Sequence, residues 1–328
     1  MKYSLTLLLP LVAVLSNAFA AEAVTSAAAP DGAAAMMVAA DTPLGSGPDK
    51  ALMEADPALP THTVYRPVDL AALGAEKLPV VAWANGGCVN TGNRFRWFLT
   101  ELASYGFLVI AIGPIGPPSA EYWPSTPVRP ATVAPPLATP PQLPSHGTHP
   151  SQLIDAIDWA LSENERDGSQ YYHRLDTHKI AVMGQSCGGV QAIEASADPR
   201  VSTTVVWNSG LFTTPSRMGG GKLISKDDLA KLHASTAYIS GDSQDIAFLN
   251  ANVDFAHLKT IPAFRAYEQG VPHVATYREP NGGEFGGVGV AWLQWQLKGN
   301  ARAAKMFLGA DCGLCVNPRW VVKKANLK

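Results

Sequence analysis

The chain has 328 residues, with 25 lysines and arginines against 27 aspartates and glutamates, so its formal net charge is −2 at pH 7. This near-neutral balance gives no support for nucleic-acid binding, and no basic run or basic amphipathic helix indicates a membrane surface. The length suits one large α/β domain, which we place at residues 49–328.

The first twenty residues have the pattern of a secretory signal peptide. Lys2 gives a positive start, residues 7–15 are apolar, and Ala18-Phe19-Ala20 is a small-residue cleavage site. The apolar run is shorter than the roughly 20 residues that a spanning helix needs. We expect cleavage after Ala20, export to the periplasm or the extracellular medium, and no integral membrane segment afterwards; the alternative is a retained anchor. Residues 21–48 are rich in Ala, Gly and Ser, which predicts poor order.

From Leu78 to His273 strand-like and helix-like segments alternate, which predicts an α/β fold with a mainly parallel central sheet and helices on both faces. Apolar runs predict buried strands at residues 79–84, 107–112, 180–183, 203–207, 236–240 and 263–267, the last of the series. Helical spacing predicts helices at residues 95–102, 151–161, 189–197 and 288–297. Gly106 is expected to end the first of these helices, and Ser151 to be the N-cap of the second.

Residues 114–150 are rich in proline, including Pro135-Pro136 and Pro140-Pro141. Such a stretch cannot be a central strand or a regular helix. It follows a predicted strand, so it should start at the carboxyl edge of the sheet. Two interpretations stay open: a wall over a cleft, to which Tyr122 and Trp123 would add aromatic surface, or an exposed extended loop.

The most informative motif is Gly184-Gln185-Ser186-Cys187-Gly188, which follows a short apolar strand. Its G-x-S-x-G spacing is that of a nucleophile elbow, a strained strand-to-helix turn that exposes a serine hydroxyl above the sheet. The glycines suit such a turn because a Cβ would crowd it. The alternative is a glycine-rich turn without chemistry.

A serine nucleophile needs a base, and the base needs an orienting acid. In the chain order serine, acid, histidine, the base candidate is His273, in a loop after the last predicted strand. The acid comes from the loop after the preceding strand, where we favour Asp245 over Asp242. Asp245 lies further into the loop and can reach the imidazole, whereas Asp242 suits a turn or helix cap.

An oxyanion hole would complete this set of residues. One backbone N–H donor is expected from Cys187, the residue after the serine. The other is expected from the loop Asn85-Gly86-Gly87-Cys88, because glycines there allow close backbone approach. We favour Gly87 as this donor, with Cys88 as an alternative.

The chain has four cysteines, and an even number in an exported protein favours disulfides. Three connectivities are possible. Cys312 and Cys315 can close a small loop, which leaves Cys88 and Cys187 as partners. The alternative for Cys312-Gly313-Leu314-Cys315 is a metal or redox site, but no second C-x-x-C or nearby histidine pair completes one, so we expect no metal and no cofactor.

Taken in order, these residues resemble the α/β-hydrolase superfamily from about residue 60 to 310. The resemblance is to secreted carboxylesterases, including dienelactone-hydrolase-like and polyester-hydrolase or cutinase-like members. It implies Ser186 as nucleophile, Asp245 as acid, His273 as base, and Gly87 and Cys187 as oxyanion donors.

The resemblance also suggests a substrate contact for Trp207; the alternative is that Trp207 is a core aromatic.

Two departures from the superfamily pattern stand out: Asn85-Gly86-Gly87 replaces the usual His-Gly segment, and a cysteine follows the serine. Since the two oxyanion loops are neighbours in that fold, we hypothesise that a Cys88–Cys187 disulfide rigidifies the hole.

The sequence therefore predicts an exported serine hydrolase that cleaves small-molecule or polymeric carboxylic esters through an acyl-enzyme. The same residues would serve an acyltransferase or a peptidase, and a non-catalytic binding protein on a hydrolase scaffold is a further alternative. The sequence does not indicate the acyl preference or the oligomeric state.

Overall fold

The apolar runs of the chain form the centre of a nine-stranded, mostly parallel sheet with helices on both faces, so the fold belongs to the α/β class. The computed structural model describes residue 1, residue 39, residues 41–121 and residues 147–327. Residues 1–38 and 39–328 form separate units, and every element named below belongs to the second. The predicted signal peptide beyond Met1, residues 21–38, and Tyr122 and Trp123 of the proline-rich stretch lie outside the described residues.

The sheet has the strand order β1-β2-β4-β3-β5-β6-β7-β8-β9. The strands are β1 (Ala51–Glu54), β2 (His62–Pro67), β3 (Leu78–Ala84), β4 (Leu108–Ile112), β5 (Leu175–Gln185), β6 (Val201–Trp207), β7 (Ser235–Gly241), β8 (Ala263–Glu268) and β9 (Trp320–Ala325). Strands β3 to β8 pair in parallel, whereas β1–β2, β2–β4 and β8–β9 are antiparallel.

Helices connect the strands and cover both faces. The α-helices are α1 (Arg96–Ser104), α2 (Ser151–Glu165), α3 (Cys187–Ala195), α4 (Phe248–His257), α5 (Gly283–Lys298), α6 (Ala301–Ala304) and α7 (Gly313–Val316). Short 3-10 helices cover Gly86–Cys88, Pro118–Glu121, Lys226–Lys231 and Pro280–Gly282. Within the described ranges, no helix is both long and apolar enough to cross a membrane.

Strand β3 shows why the central strands read as continuous apolar runs. Val81 and Trp83 belong to the core under α1 and α5, while Val80 and Ala82 belong to the core under α2. Successive side chains of a strand point to opposite faces, so a strand buried on both sides is mostly apolar and does not alternate with polar residues.

The predicted strands all occur, as β3 to β8, whereas β1, β2 and β9 were not predicted. These strands form the antiparallel ends of the sheet, and β9 mixes lysines with apolar residues because its side chains are only partly buried. Such strands lack the continuous apolar signal.

The predicted N-cap of α2 was wrong. Pro150 occupies the N-cap position, with φ −62°, and Ser151 is the first helical residue. The ring of proline presets a φ suited to the start of a helix, which accounts for this placement.

Residues 41–48 were predicted to be poorly ordered together with 21–40, but they contact helix α1. Ser46 Oγ donates to Glu101 Oε1 at 2.6 Å, and the Gly47 N–H donates to Ser104 Oγ at 3.0 Å. The sequence signal missed this because small and polar residues can pack by hydrogen bonding without an apolar pattern.

Candidate functional site

Five loops meet at the carboxyl edge of the parallel strands, where α/β proteins place their ligand sites. They begin with Asn85 after β3, Ser186 after β5, Asn208 after β6, Asp242 after β7 and Gln269 after β8. The loop after β7 carries Asp245, and the loop after β8 carries His273. The register of the sheet therefore gathers residues that are up to 188 positions apart.

Ser186 lies in a strained turn between β5 and α3, with φ 54° and ψ −119°. A non-glycine residue rarely adopts a positive φ, and such strain often marks a functional position. A Cβ at Gly184 would fall on the carbonyl oxygen of Gly188, and a Cβ at Gly188 would fall on that of Ala84. The two motif glycines are therefore required by close backbone contacts.

The structure brings Ser186, His273 and Asp245 into one hydrogen-bonded chain. His273 Nε2 lies 2.9 Å from Ser186 Oγ, and His273 Nδ1 lies 2.6 Å from Asp245 Oδ1. An ionised carboxylate only accepts hydrogen bonds, so Nδ1 carries the proton. In neutral His273, Nε2 then accepts from the Ser186 hydroxyl, which is the arrangement that proton removal requires.

Asp245 is buried and surrounded by donors. Its Oδ1 accepts from the Ala247 N–H at 2.9 Å, and its Oδ2 accepts from Asn208 Nδ2 at 2.8 Å and from the Gly241 N–H at 3.2 Å. Burial works to raise the pKa of Asp245, but His273 and these donors together hold it below its ordinary value. The side chain is therefore a carboxylate at neutral pH.

Asp242, the second candidate acid, has a different role in the described structure. Its Oδ1 accepts from the Gln244 N–H at 3.0 Å and its Oδ2 from the Gly270 N–H at 2.9 Å. These bonds brace the loops after β7 and β8. The acid that meets His273 is thus Asp245.

Sequence reasoning missed Asn208, Tyr277 and Gln185. Asn208 contacts Asp245, and Tyr277 Oη donates to Asn208 Oδ1 at 2.5 Å. Gln185 Nε2 donates to the carbonyl oxygen of His273 at 3.0 Å. Two of these residues stood at positions that the sequence marks: Asn208 directly follows the strand end at Trp207, and Gln185 lies inside the elbow motif. The prediction after β6 considered only carboxylates, so it passed over Asn208.

The loop after β3 is shaped by Asn85. Its Oδ1 accepts from the Trp83 indole at 3.0 Å, while its Nδ2 faces the carbonyl oxygens of Val89, Thr91 and Ile112 at 3.1, 3.0 and 2.8 Å. The buried asparagine thus folds the loop back onto the strand ends.

The predicted donors lie at two backbone turns. Gly87 and Cys88 have φ values of 66° and 50°, within a 3-10 turn. Cys187 is the first residue of α3, and the N–H groups of the first helical turn have no intrahelical partner. The positive end of the α3 dipole also lies beside Ser186.

The cysteines pair as the sequence suggested. Cys88 and Cys187 lie at disulfide distance, with Cα atoms 5.3 Å apart, and so do Cys312 and Cys315, with Cα atoms 4.8 Å apart. The first pair joins the loop after β3 to the start of α3. Among the described residues, no group of three His, Cys, Asp or Glu side chains could hold a metal ion.

Trp207 is fully buried in the aromatic core. Its ring centroid lies 5.2 Å from that of Phe98 and 5.6 Å from that of Phe285. These surroundings match the core-aromatic alternative.

A scan of protein-family models and a search of curated proteins found no match for this chain. Its function is therefore inferred from geometry. The site combines a strained serine, a histidine within hydrogen-bonding distance, a buried carboxylate and the start of a helix. That combination suits nucleophilic attack on an electrophilic carbonyl.

Proposed function

We propose that this protein is an exported serine hydrolase of the α/β-hydrolase type that cleaves carboxylic esters. The chain of hydrogen bonds Ser186–His273–Asp245 is the observation that carries the proposal. The chain order serine, acid, histidine and the strained turn at Ser186 support the hydrolase assignment. The cysteine pairs support an oxidising compartment.

In the proposed first step, His273 Nε2 removes the Ser186 proton as Oγ attacks the ester carbonyl. The negative charge moves to the carbonyl oxygen, and the imidazolium is stabilised by Asp245. Collapse of the tetrahedral intermediate expels the alcohol, which takes the proton from His273, and leaves an acyl-enzyme. Water then attacks with His273 as base and releases the acid.

The Cys187 N–H and a donor from the loop after β3, which we assign to Gly87, hold the oxyanion. One such donor is worth roughly 3 kcal/mol in characterised enzymes. The Cys88–Cys187 pair joins the two chain segments that supply these donors. A fixed hole stabilises charge without reorganisation during the reaction, which gives the cysteine pair a catalytic advantage.

The test is hydrolysis of a p-nitrophenyl ester series, acetate to palmitate, by the wild-type protein and Ser186→Ala. Ser196→Ala is the matched control, because Ser196 is also buried at an end of α3 and its hydroxyl donates to Ala192 at 2.6 Å. We expect turnover by wild type and Ser196→Ala only. Equal background rates in all three proteins would refute the proposal, and the chain-length profile would size the acyl pocket.

A further inference from the structure

Two buried hydrogen bonds, which we call the Tyr277–Asn208 relay, lead to the Asp245 oxygen that does not face His273. Tyr277 Oη donates to Asn208 Oδ1 at 2.5 Å, and Asn208 Nδ2 donates to Asp245 Oδ2 at 2.8 Å. All three side chains are almost completely buried. Water therefore does not compete for these bonds.

The direction of each bond follows from the charge on Asp245. A carboxylate needs donors, so the amide nitrogen of Asn208 faces it and the amide oxygen faces Tyr277. Burial and the charge of Asp245 raise the pKa of Tyr277 well above its ordinary value, so the phenol keeps its proton and donates. The opposite orientation of the Asn208 amide would set its oxygen against the carboxylate.

Together with the bond between His273 and Asp245, the relay begins and ends on the same loop of the polypeptide. Tyr277 follows His273 by four residues on the loop after β8, so this loop is bound to Asp245 both directly and through Asn208. Asn208 has φ 41°, a left-handed conformation that asparagine tolerates better than most residues. Its amide is thereby held in place at the end of β6.

We propose that Asn208 and Tyr277 are positioning residues that hold the Asp245 carboxylate with Oδ1 turned to His273. The inference rests on the proposed function, because it says that the relay supports the nucleophilicity of Ser186 through Asp245 and His273. Without the Asn208 donor, Oδ2 keeps only the 3.2 Å bond from the Gly241 N–H. The carboxylate can then rotate, and the imidazolium formed during attack loses part of its stabilisation.

The experiment measures the second-order rate constant for modification of Ser186 by a fluorophosphonate, which needs no knowledge of the natural substrate. Wild type, Asn208→Ala, Asn208→Asp and Tyr277→Phe are compared from about pH 6 to about pH 9, above ordinary carboxylate pKa values. Tyr238→Phe is the control for Tyr277→Phe, because it removes an equally buried phenol that donates to Asp254 at 3.3 Å. Asn164→Ala is the control for Asn208→Ala, since Asn164 is buried and accepts from the Leu175 N–H at 2.9 Å.

For Asn208→Ala we expect a loss of about tenfold, the size of a charge-assisted hydrogen bond, at every pH in the range. Tyr277→Phe should lose about threefold, because the amide still reaches Asp245 but is free to turn. In Asn208→Asp two buried carboxyls share a proton near neutrality, so the introduced group can still donate to Asp245; as the pH rises this donor is lost and two carboxylates face each other, so the loss should grow. The controls should match wild type.

The outcomes separate the two ideas. If wild type is not modified at Ser186, the proposed function fails. If wild type is modified and both Asn208→Ala and Tyr277→Phe react within twofold of it, the relay is overturned while the proposed function stands. Should Asn208→Ala not fold, Tyr277→Phe and the pH profile of Asn208→Asp decide the matter, since a purely structural role would not give a pH-dependent loss.

Discussion

Gln185 binds the loop that carries His273, because its Nε2 donates to the His273 carbonyl oxygen at 3.0 Å. Its Oε1 is buried, has no hydrogen-bond partner among the described residues, and lies where a Cβ of Gly86 would fall. One side chain next to Ser186 therefore contacts both the histidine loop and the loop after β3. Gln185 therefore lies between the chain segments that carry Ser186, His273 and the proposed oxyanion donor.

Replacing the buried acid should abolish most activity. Asp245→Asn keeps the shape but no longer favours a protonated Nδ1 on His273, and the analogous change in a serine protease costs about 10⁴-fold in kcat. We expect a comparable loss in ester hydrolysis with little change in KM. Asp242→Asn is the control and should stay near wild type, because Asp242 only braces loops. A larger loss in Asp242→Asn would reverse our assignment of the acid.

Asp245 should also make stability depend on pH. Its folded-state pKa lies below the ordinary value of 3.8, although burial opposes this, because His273, Ala247 and Asn208 favour the charged form. The carboxylate therefore stabilises the fold above pH 3.8, and this contribution is lost as the pH falls through the lower folded-state pKa. The difference in Tm between wild type and Asp245→Asn should be largest near neutral pH and shrink below about pH 4. Thermal unfolding across this range measures it, and a difference that grows on acidification contradicts the prediction.

The contact between Gly86 and Gln185 predicts that Gly86→Ala impairs catalysis. The added Cβ would fall on Gln185 Oε1, and Gln185 cannot retreat without losing its bond to His273. We expect kcat to fall and the free energy of unfolding to decrease by about 1–3 kcal/mol. Gly287→Ala is the matched control, because it lies in α5 with open space around its Cβ and should be neutral or stabilising. Full activity in Gly86→Ala would show that Gln185 is free to move.

The two cysteine pairs should differ in their contribution to stability. Cys88 and Cys187 are separated by 99 residues, and Cys312 and Cys315 by 3. The chain-entropy estimate gives about 5 kcal/mol for the long loop and about 2 kcal/mol for the short one. Urea unfolding of the two double alanine variants should show this order. Only the Cys88/Cys187 variant should also lose esterase activity, and a reversed order in either measurement would contradict the argument.

A buried ion pair anchors the chain after β6. Lys226 Nζ contacts Asp254 of α4 and donates to the Leu211 carbonyl oxygen at 2.5 Å, and the Asp254 side chain is fully buried. Lys226→Met leaves an uncompensated carboxylate and should cost about 3–5 kcal/mol. Adding Asp254→Asn should recover much of this loss, because the amide oxygen can still accept from the Leu211 N–H. Additive losses in urea unfolding would mean that the two side chains do not interact.

Much of the central sheet was predictable because its signals are local. Strand β3 is buried throughout and β5 is buried from Ile180 onward, and these stretches are mostly apolar. The strands at the ends of the sheet mix polar and apolar residues and were not predicted. The sequence also predicted that Ser186, Asp245 and His273 lie close together, because the loops that follow parallel strands lie at one edge of the sheet. Their catalytic roles stay predictions.

By itself, the sequence determined the α/β class and the glycine-bounded turn at Ser186, because these depend on apolar runs, chain order and short-range sterics, whereas it left three cysteine connectivities open. Only the tertiary structure decided that Asp245 rather than Asp242 meets His273, and that Trp207 is a core aromatic. The contacts of Gln185, Asn208 and Tyr277 likewise needed coordinates. They join loops far apart in the chain, and hydrogen-bond partners at such separations depend on the packing of the sheet, which no local pattern encodes.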